Sequence, residues 1–399
     1  MIKELEIKHL KSFEDSGKLI FSQITLLTGK NGRGKSTVLQ SLLLLAQSFD
    51  AEKGIDHLEL NGRFVNLGTY NDLLRRGTDA NVFEIGFATD DEVENDIKCV
   101  FCKDIKNTYV AQFEEMNVNE KSKMEIVASS DYLLDGNFNF ETAEMNSALE
   151  SLAKGDNDNH KTIGSTSDIM GLRQFLNMYF VSANREGGVD SVKADISWNK
   201  SMGIGVHGEY VLNMLDVASD EQKKEIEDLL RQVLDGGAIT TEKDSNRNEI
   251  ALYIDPSGVS KGFKPSNVGF GYSYILSILI TIVMARIGAK ILIENPEAHL
   301  HPTAQARLME VIVSVAQKKN LQVFIESHSD HVLHGLQLAV MSEKIDATDL
   351  SVLFFDFEDD NNNLSVVNQL EVLPNGHIRR PPEGFFDQAE HDLGMLIGL

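Results

Sequence analysis

Gly29, Gly34, Lys35 and Ser36 stand at the spacing G-x-x-x-x-G-K-[ST], the spacing at which a loop can wrap the phosphates of a nucleoside triphosphate. Gly29, Gly32 and Gly34, with Asn31 among them, let the chain turn tightly and aim backbone N–H groups at phosphate oxygens. The helix that should follow adds its N-terminal dipole to the same anion. Lys35 is expected at the β- and γ-phosphates as a point charge, the Ser36 hydroxyl on Mg²⁺, and Thr37 near the α-phosphate. The flanks agree, because Ile24–Thr28 reads as a buried strand and Thr37–Phe49 as a helix.

A phosphate loop needs an acid from elsewhere. In "AKILIENPEAHLHP" the buried run Ile291–Ile293 ends in Glu294, the position from which a carboxylate can face Mg²⁺ through water. Asn295 follows, and an amide cannot take a proton from an attacking water. Either hydrolysis is slow or Glu297, two residues on, supplies the carboxylate. In "LQVFIESHSDHVL" a second buried strand, Leu321–Ile325, precedes Ser327-His328-Ser329, with His331 and His334 on the helix beyond. No carboxylate–histidine set converges on those histidines from elsewhere, so they are expected to face solvent rather than to hold a metal. In "SNVGFGYSYILSILITIVMA", Gly269, Gly271 and Ser273 open an apolar helix about seventeen residues before the Glu294 strand.

Taken in this order, the segments resemble the ABC-type ATPases of the SMC, RecF and OLD group. Glu294, Pro296 and Leu300-His301-Pro302 are similar to the Walker B segment of that group, His328 to its switch histidine, and Gly269, Gly271 and Ser273 to a degenerate form of its signature. "IKHLKSFED" resembles the opening strands and "VSANREGG" a strand carrying an arginine, here Arg185. The tail "RPPEGFFDQAEHDLGML" resembles a short uncharacterised C-terminal domain on a bacterial branch of AAA family ATPases, which commonly carries an amide in the Walker B pair. The resemblance implies an ATP- and Mg²⁺-dependent dimeric switch: two heads sandwich ATP, each signature meeting the γ-phosphate held by the other subunit. It further implies an effector partner, a nuclease among the candidates, in bacterial anti-phage or mobile-element systems.

The elements that must position these residues follow a simple order. The fold expected is α/β: a P-loop NTPase of ABC-head type, with a mixed sheet, an antiparallel β-rich part, a helical subdomain and a short C-terminal β/α extension. The head should span 1–345, with an insertion at about 88–180 and a flexible loop at about 136–168, and the C-terminal domain 346–399. Short alternating runs from Leu58 to about Leu134 suggest an antiparallel meander, and "EYVLNML" and "DEQKKEIEDLLRQVL" suggest helices.

Composition narrows the functions. A chain of 399 residues, 42% hydrophobic, with 37 basic against 61 acidic residues and a net charge of −24, describes a globular protein whose surface repels phosphate backbones. Nucleic-acid binding therefore lacks support from charge, and the pairs Arg75-Arg76 and Arg379-Arg380 read as solvated surface. Cys99 and Cys102 are the only cysteines, which fits a cytoplasmic location and supplies no zinc set. "MIKELEIKHL" reads as a strand rather than a leader, and the apolar run Tyr272–Ala285 is too short to span a bilayer. A RecF-like DNA-repair ATPase is the alternative reading. An OLD-like nuclease is disfavoured, because about seventy residues after His328 leave no room for a Toprim domain, and Asp356, Glu358, Asp359 and Asp360 read as a solvated turn. A transporter subunit would be expected to carry an intact signature and a catalytic glutamate.

Overall fold

The computed structural model describes residues 1–50, 54–90, 96–118, 122–124, 171–193, 198, 202–244, 246–258, 262–357, 364–387, 393 and 395–396. The loop expected at 136–168 and the acids Glu358, Asp359 and Asp360 lie outside them. The chain divides into two compact units, one made of residues 1, 19–43 and 177–399, the other of residues 2–18 and 44–176.

The second unit is an antiparallel sheet of β1 (Ile2–Leu10), β2 (Phe13–Asp15), β5 (His57–Glu59), β6 (Val82–Thr89), β7 (Asp96–Lys103), β8 (Val110–Val118) and β9 (Ser122–Met124), with helix α2 (Tyr70–Leu73). Its order is β2-β1-β6-β7-β8-β5, with β9 on β8. The alternation expected from the sequence is what one covered face requires. That face carries a run of rings, Tyr70 on Phe83 at 5.4 Å, Phe83 on Phe101 at 5.3 Å and Phe101 on Phe113 at 4.6 Å between centroids. Cys99 and Cys102 are free thiols on β7, and burial pushes the Cys99 thiol far above its ordinary range. They are strand residues and belong to no metal-binding group among the described residues.

The first unit holds the motifs. Its main sheet runs β10 (Met178–Val181), β14 (Lys290–Glu294), β15 (Gln322–Glu326), β4 (Ile24–Gly29), β16 (Leu350–Phe357) and β17 (Ser365–Leu370). All neighbours are parallel except β17, which closes the edge antiparallel to β16. Ile291–Ile293, Val323–Ile325, Ile24, Leu26 and Leu27 are fully buried, the unbroken apolar pattern of strands covered on both faces. Residues 346–399, expected as a small C-terminal domain, supply β16 and β17 to this sheet. The Ser351 hydroxyl of β16 donates to the Ile20 carbonyl of the short β3 (Leu19–Ile20) at 2.8 Å.

Helices α1 (Lys35–Ser48), α3 (Val211–Asp216), α4 (Asp220–Leu234), α5 (Phe270–Met284), α6 (Pro302–Lys319) and α7 (Asp330–Met341) start and stop where local chemistry asks. Ser219 and Gln222 form a capping box on α4, whose Ile226, Leu229, Leu230 and Val233 make one apolar stripe. Pro302 occupies the first turn of α6 and Asn320, left-handed at φ 50°, ends it. The run Ile275–Met284 of α5 is buried throughout, as a helix lying within a core must be. A smaller sheet, β11 (Ser191–Lys193), β13 (Glu249–Asp255) and β12 (Ala238–Asp244), completes the unit. Among the described residues no helix is long and apolar enough to cross a membrane.

Gly335 on α7 lies against α6 so closely that an added Cβ would fall 2.7 Å from the Ala306 carbonyl oxygen and 2.9 Å from Met309 Cβ. Backbone and a packed side chain cannot yield cheaply, so Gly335→Val is expected to destabilise the first unit by about 1–3 kcal/mol. Denaturant unfolding measures it, and an unchanged midpoint would contradict the close packing.

Candidate nucleotide-binding and hydrolysis site

The loop after β4 is built by sterics before charge. Gly29 sits at φ 128°, and an added Cβ there would overlap the backbone of Phe355 on the neighbouring β16. Only glycine satisfies both constraints. Gly32 and Gly34 also have positive φ, while Asn31 is exposed at the loop tip. Lys35, only 3% exposed, folds back over the loop and donates to the Gly29 and Lys30 carbonyls at 2.9 and 2.7 Å. Burial lowers its pKa from the ordinary lysine value. Thr37 is buried on the first turn of α1, where its carbonyl accepts from Ser41.

β16 braces this loop from the other side. Asp356 pairs with Lys30 at 3.2 Å, and the Arg33 guanidinium lies 3.2 Å above the centroid of Phe357. Asp356 is thus an ion-pair partner of the loop, not the solvated acid expected from the sequence.

Glu294, Glu297 and His328 are brought to the same end of the sheet as Lys35 and Ser36, by the parallel register Glu294↔Glu326↔Leu27. Their contacts differ, however. Glu294 Oε2 accepts from the Ala183 N–H at 3.0 Å and the Ser182 hydroxyl at 3.5 Å, toward β10 and away from Ser36. The Ser36 hydroxyl instead donates to Glu326 Oε1 at 2.9 Å. Glu326 is 7% exposed and its second oxygen has no hydrogen-bond partner. Glu326 went unnoticed in the sequence, although it ends a buried strand just as Glu294 does.

The turn after β14 aims the remaining acid. Asn295 is left-handed at φ 44°, its N–H bonded to the Glu326 carbonyl at 2.9 Å. Asparagine tolerates that conformation where glutamate would be strained, which gives the amide at 295 a structural reason. The turn then swings Glu297 back, so that its Oε1 accepts from the His328 N–H at 3.0 Å while Oε2 is buried without a partner. His328 itself is exposed; partial desolvation first, then the Lys35 charge, lower its pKa. Its imidazole therefore stays neutral at physiological pH.

Arg185 ties the turn down. Buried to 2% exposure, it donates to the carbonyls of Ser182 (3.0 Å), Glu294 (2.9 Å) and Asn295 (3.1 Å). Burial brings its pKa down to about 10, with Tyr274, Glu297 and Glu294 opposing, so it remains charged.

The signature-like segment opens α5 at some distance in sequence. Gly269 is the N-cap of α5 and an added Cβ there would meet nothing within 4 Å. Gly271 has the His299 carbonyl 3.0 Å from its would-be Cβ, and the Ser273 hydroxyl oxygen is buried without a partner. His331 and His334 lie on α7, His334 exposed; with Asp330 they form a group whose donor atoms lie within 4.8 Å of one another, all from one stretch of helix.

The family description "AAA ATPase domain" matches residues 1–333. The chain belongs to the AAA ATPase domain family. Membership implies ATP binding and hydrolysis, in keeping with the phosphate loop. A second family, described as a protein of unknown function, DUF3696, matches residues 345–396 of this AAA ATPase, the segment that supplies β16 and β17. Among solved structures, the SMC head bound to the C-winged helix domain of ScpA is 12% identical over 93% of this chain and 98% of that one, with a TM-score of 0.50. The SMC head domain from Thermotoga maritima is 12% identical over 93% and 99%, with a TM-score of 0.45. The likeness to the ScpA-bound head concerns the fold, an ABC-type head with mixed and antiparallel sheets. No curated protein matches this chain.

Two outcomes follow from these contacts. Arg185→Ala removes a charged donor from three carbonyls, of which that of Asn295 keeps the Ala298 N–H at 3.2 Å, and is expected to cost about 2–4 kcal/mol, with Arg185→Lys restoring less than half because an ammonium lacks the fork. Denaturation midpoints decide it, and wild-type stability in the alanine variant would contradict the tie. Glu326 supplies the second. Burial first, then the Glu294 charge, push its pKa from 4.5 up to about 7, against the Ser36 hydrogen bond and Lys35. A pKa raised on folding favours the folded state fully below the unfolded value and loses that contribution as pH rises through the folded one. In nucleotide-free protein with chelator, Glu326→Gln should therefore leave Tm near wild type at pH 5 and raise it at pH 8, by the equivalent of about 3 kcal/mol at most. A gain independent of pH would contradict it.

Proposed function

We propose that this chain is an Mg²⁺-dependent ATPase working as a dimeric switch. The convergence of Lys35, Ser36, Glu294, Glu297, Glu326 and His328 at the carboxyl ends of adjacent parallel strands carries the reading. In open α/β sheets that edge is where ligands bind. The donors fit a small hard cation beside phosphate: a hydroxyl on Ser36 and an unpaired buried carboxylate oxygen on Glu326, with no sulfur or imidazole between them. When bound, Mg²⁺ would neutralise phosphate charge. Lys35 would leave its carbonyl partners for the β- and γ-phosphates, with the amides of Asn31, Gly32 and Gly34 and the first turn of α1, Ser36 and Thr37, around them. Glu297 would take the proton from the attacking water, the role that Asn295 cannot fill, and neutral His328 would bond the γ-phosphate or that water.

Replacing Lys35 with alanine should weaken ATP binding by about 1.5–3 kcal/mol or more, read by equilibrium titration of a fluorescent ATP analogue; unchanged affinity would reject the site. Glu297→Gln should lower kcat roughly 10²–10⁴-fold with nucleotide affinity retained. Brisk turnover in that variant would remove Glu297 as the base and leave a slow, sensor-like clock.

Dimerisation rests on the first turn of α5, where Gly269 opens to solvent and Phe270 is 57% exposed. Gly269→Trp is the cleaner probe, since bulk at Gly271 would press on the His299 carbonyl of its own chain. ATP should raise the dimer mass seen by light scattering in the wild type and not in Gly269→Trp, while monomeric mass in the wild type with and without ATP would count against the sandwich. The division into a head, 1–345, and a C-terminal domain, 346–399, is kept as part of this proposal, as is a cytoplasmic setting beside an effector protein in bacterial anti-phage defence. The family resemblance supports that setting, and co-purification from the native host identifies the effector.

A further inference from the structure

We propose that Glu326, at the end of β15, is the carboxylate that meets the divalent cation of the bound nucleotide, in place of Glu294 at the end of β14. The inference rests on the reading of this site as a nucleotide site and assigns its metal side.

Strand order comes first. β15 is the direct neighbour of β4, whose end becomes the phosphate loop, whereas β14 is one strand farther away. The register pairs Glu326 with Leu27 on one side and with Glu294 on the other, so the two acids stand in line and Glu326 is the nearer to Ser36. Side-chain contacts agree. The Ser36 hydroxyl, the loop's expected metal ligand, donates to Glu326 Oε1 at 2.9 Å. A cation that draws on the Ser36 oxygen lone pairs therefore arrives within reach of the Glu326 carboxylate.

The two acids also differ in what they still lack. Glu294 Oε2 is held by the Ala183 N–H and the Ser182 hydroxyl, on the far side from the loop. Glu326 Oε2 is buried with no partner at all. A carboxyl oxygen left unpaired in a covered site is costly, and a hard divalent cation is the partner that two carboxylate oxygens and a hydroxyl suit best. Glu294 then serves as a positioning residue, joining the turn 182–183 to the end of β14.

Mn²⁺ serves as the probe, its free concentration read by electron paramagnetic resonance in the presence of a non-hydrolysable ATP analogue. Wild type, Glu326→Gln, Glu294→Gln and Glu326→Asp are compared, and analogue affinity in excess chelator confirms that each variant folds and keeps the loop. Glu326→Gln should weaken Mn²⁺ binding to the protein–nucleotide complex by roughly 10- to 100-fold, with Glu294→Gln within about threefold of wild type. Glu326→Asp, which keeps the charge on a shorter stem, should fall between. A large loss in Glu294→Gln with wild-type Mn²⁺ affinity in Glu326→Gln, or equal losses in both, overturns the assignment. Failure of the wild type to bind the analogue with or without Mn²⁺ rejects the nucleotide site itself, a result distinct from either.

Discussion

Three carboxylates crowded at one corner, Glu326 buried and Glu294 and Glu297 half-buried, are the constraint on which the rest of the first unit depends. Each would prefer solvent, and burial raises the pKa of Glu294 and Glu326 accordingly. The parallel register of β14 and β15 forces Glu294 and Glu326 side by side, and the left-handed Asn295 returns Glu297 to the same corner. Such a corner is tolerable only with cations at its edge. Lys35 lies on the loop side and Arg185 on the β10 side. On the proposed reading, a polyanion such as ATP would enter this corner more readily in company with a counter-cation, which would couple phosphate binding to metal binding through charge.

Support for that corner comes from sequence-distant pieces. Arg185, beyond the turn that follows β10, holds the carbonyls of Glu294 and Asn295. On the opposite flank the segment that follows the ATPase domain braces the phosphate loop through Asp356, Phe357 and the Phe355 backbone. The loop's geometry therefore depends on residues more than three hundred positions away, and β16 belongs to the nucleotide-binding sheet as fully as β4 does.

How much of this the sequence reveals follows from the range of each interaction. The phosphate loop, the buried strands β14 and β15 and the helix at α5 are legible because their signals are local: glycine spacing, an unbroken apolar run, a start cap. The Glu326 contact with Ser36 is not, since it needs strand register to join residues 290 positions apart. The run "VFIES" ends in an acid just as "ILIEN" does, and applying the same reading to both would have marked Glu326. Which way Glu294 points depends on Ala183 and Ser182 across β10, again beyond local pattern. Asn295 shows the converse: an apparent loss of a catalytic acid is, in the fold, the residue type best suited to φ 44°.

Hydrogen–deuterium exchange with and without Mg²⁺–ATP tests the central claim, that one corner of one sheet binds the nucleotide. Added protection is expected at 29–37, 182–185, 294–297 and 326–328. Protection that avoids the 294–297 and 326–328 segments, or none at 29–37, would contradict the account.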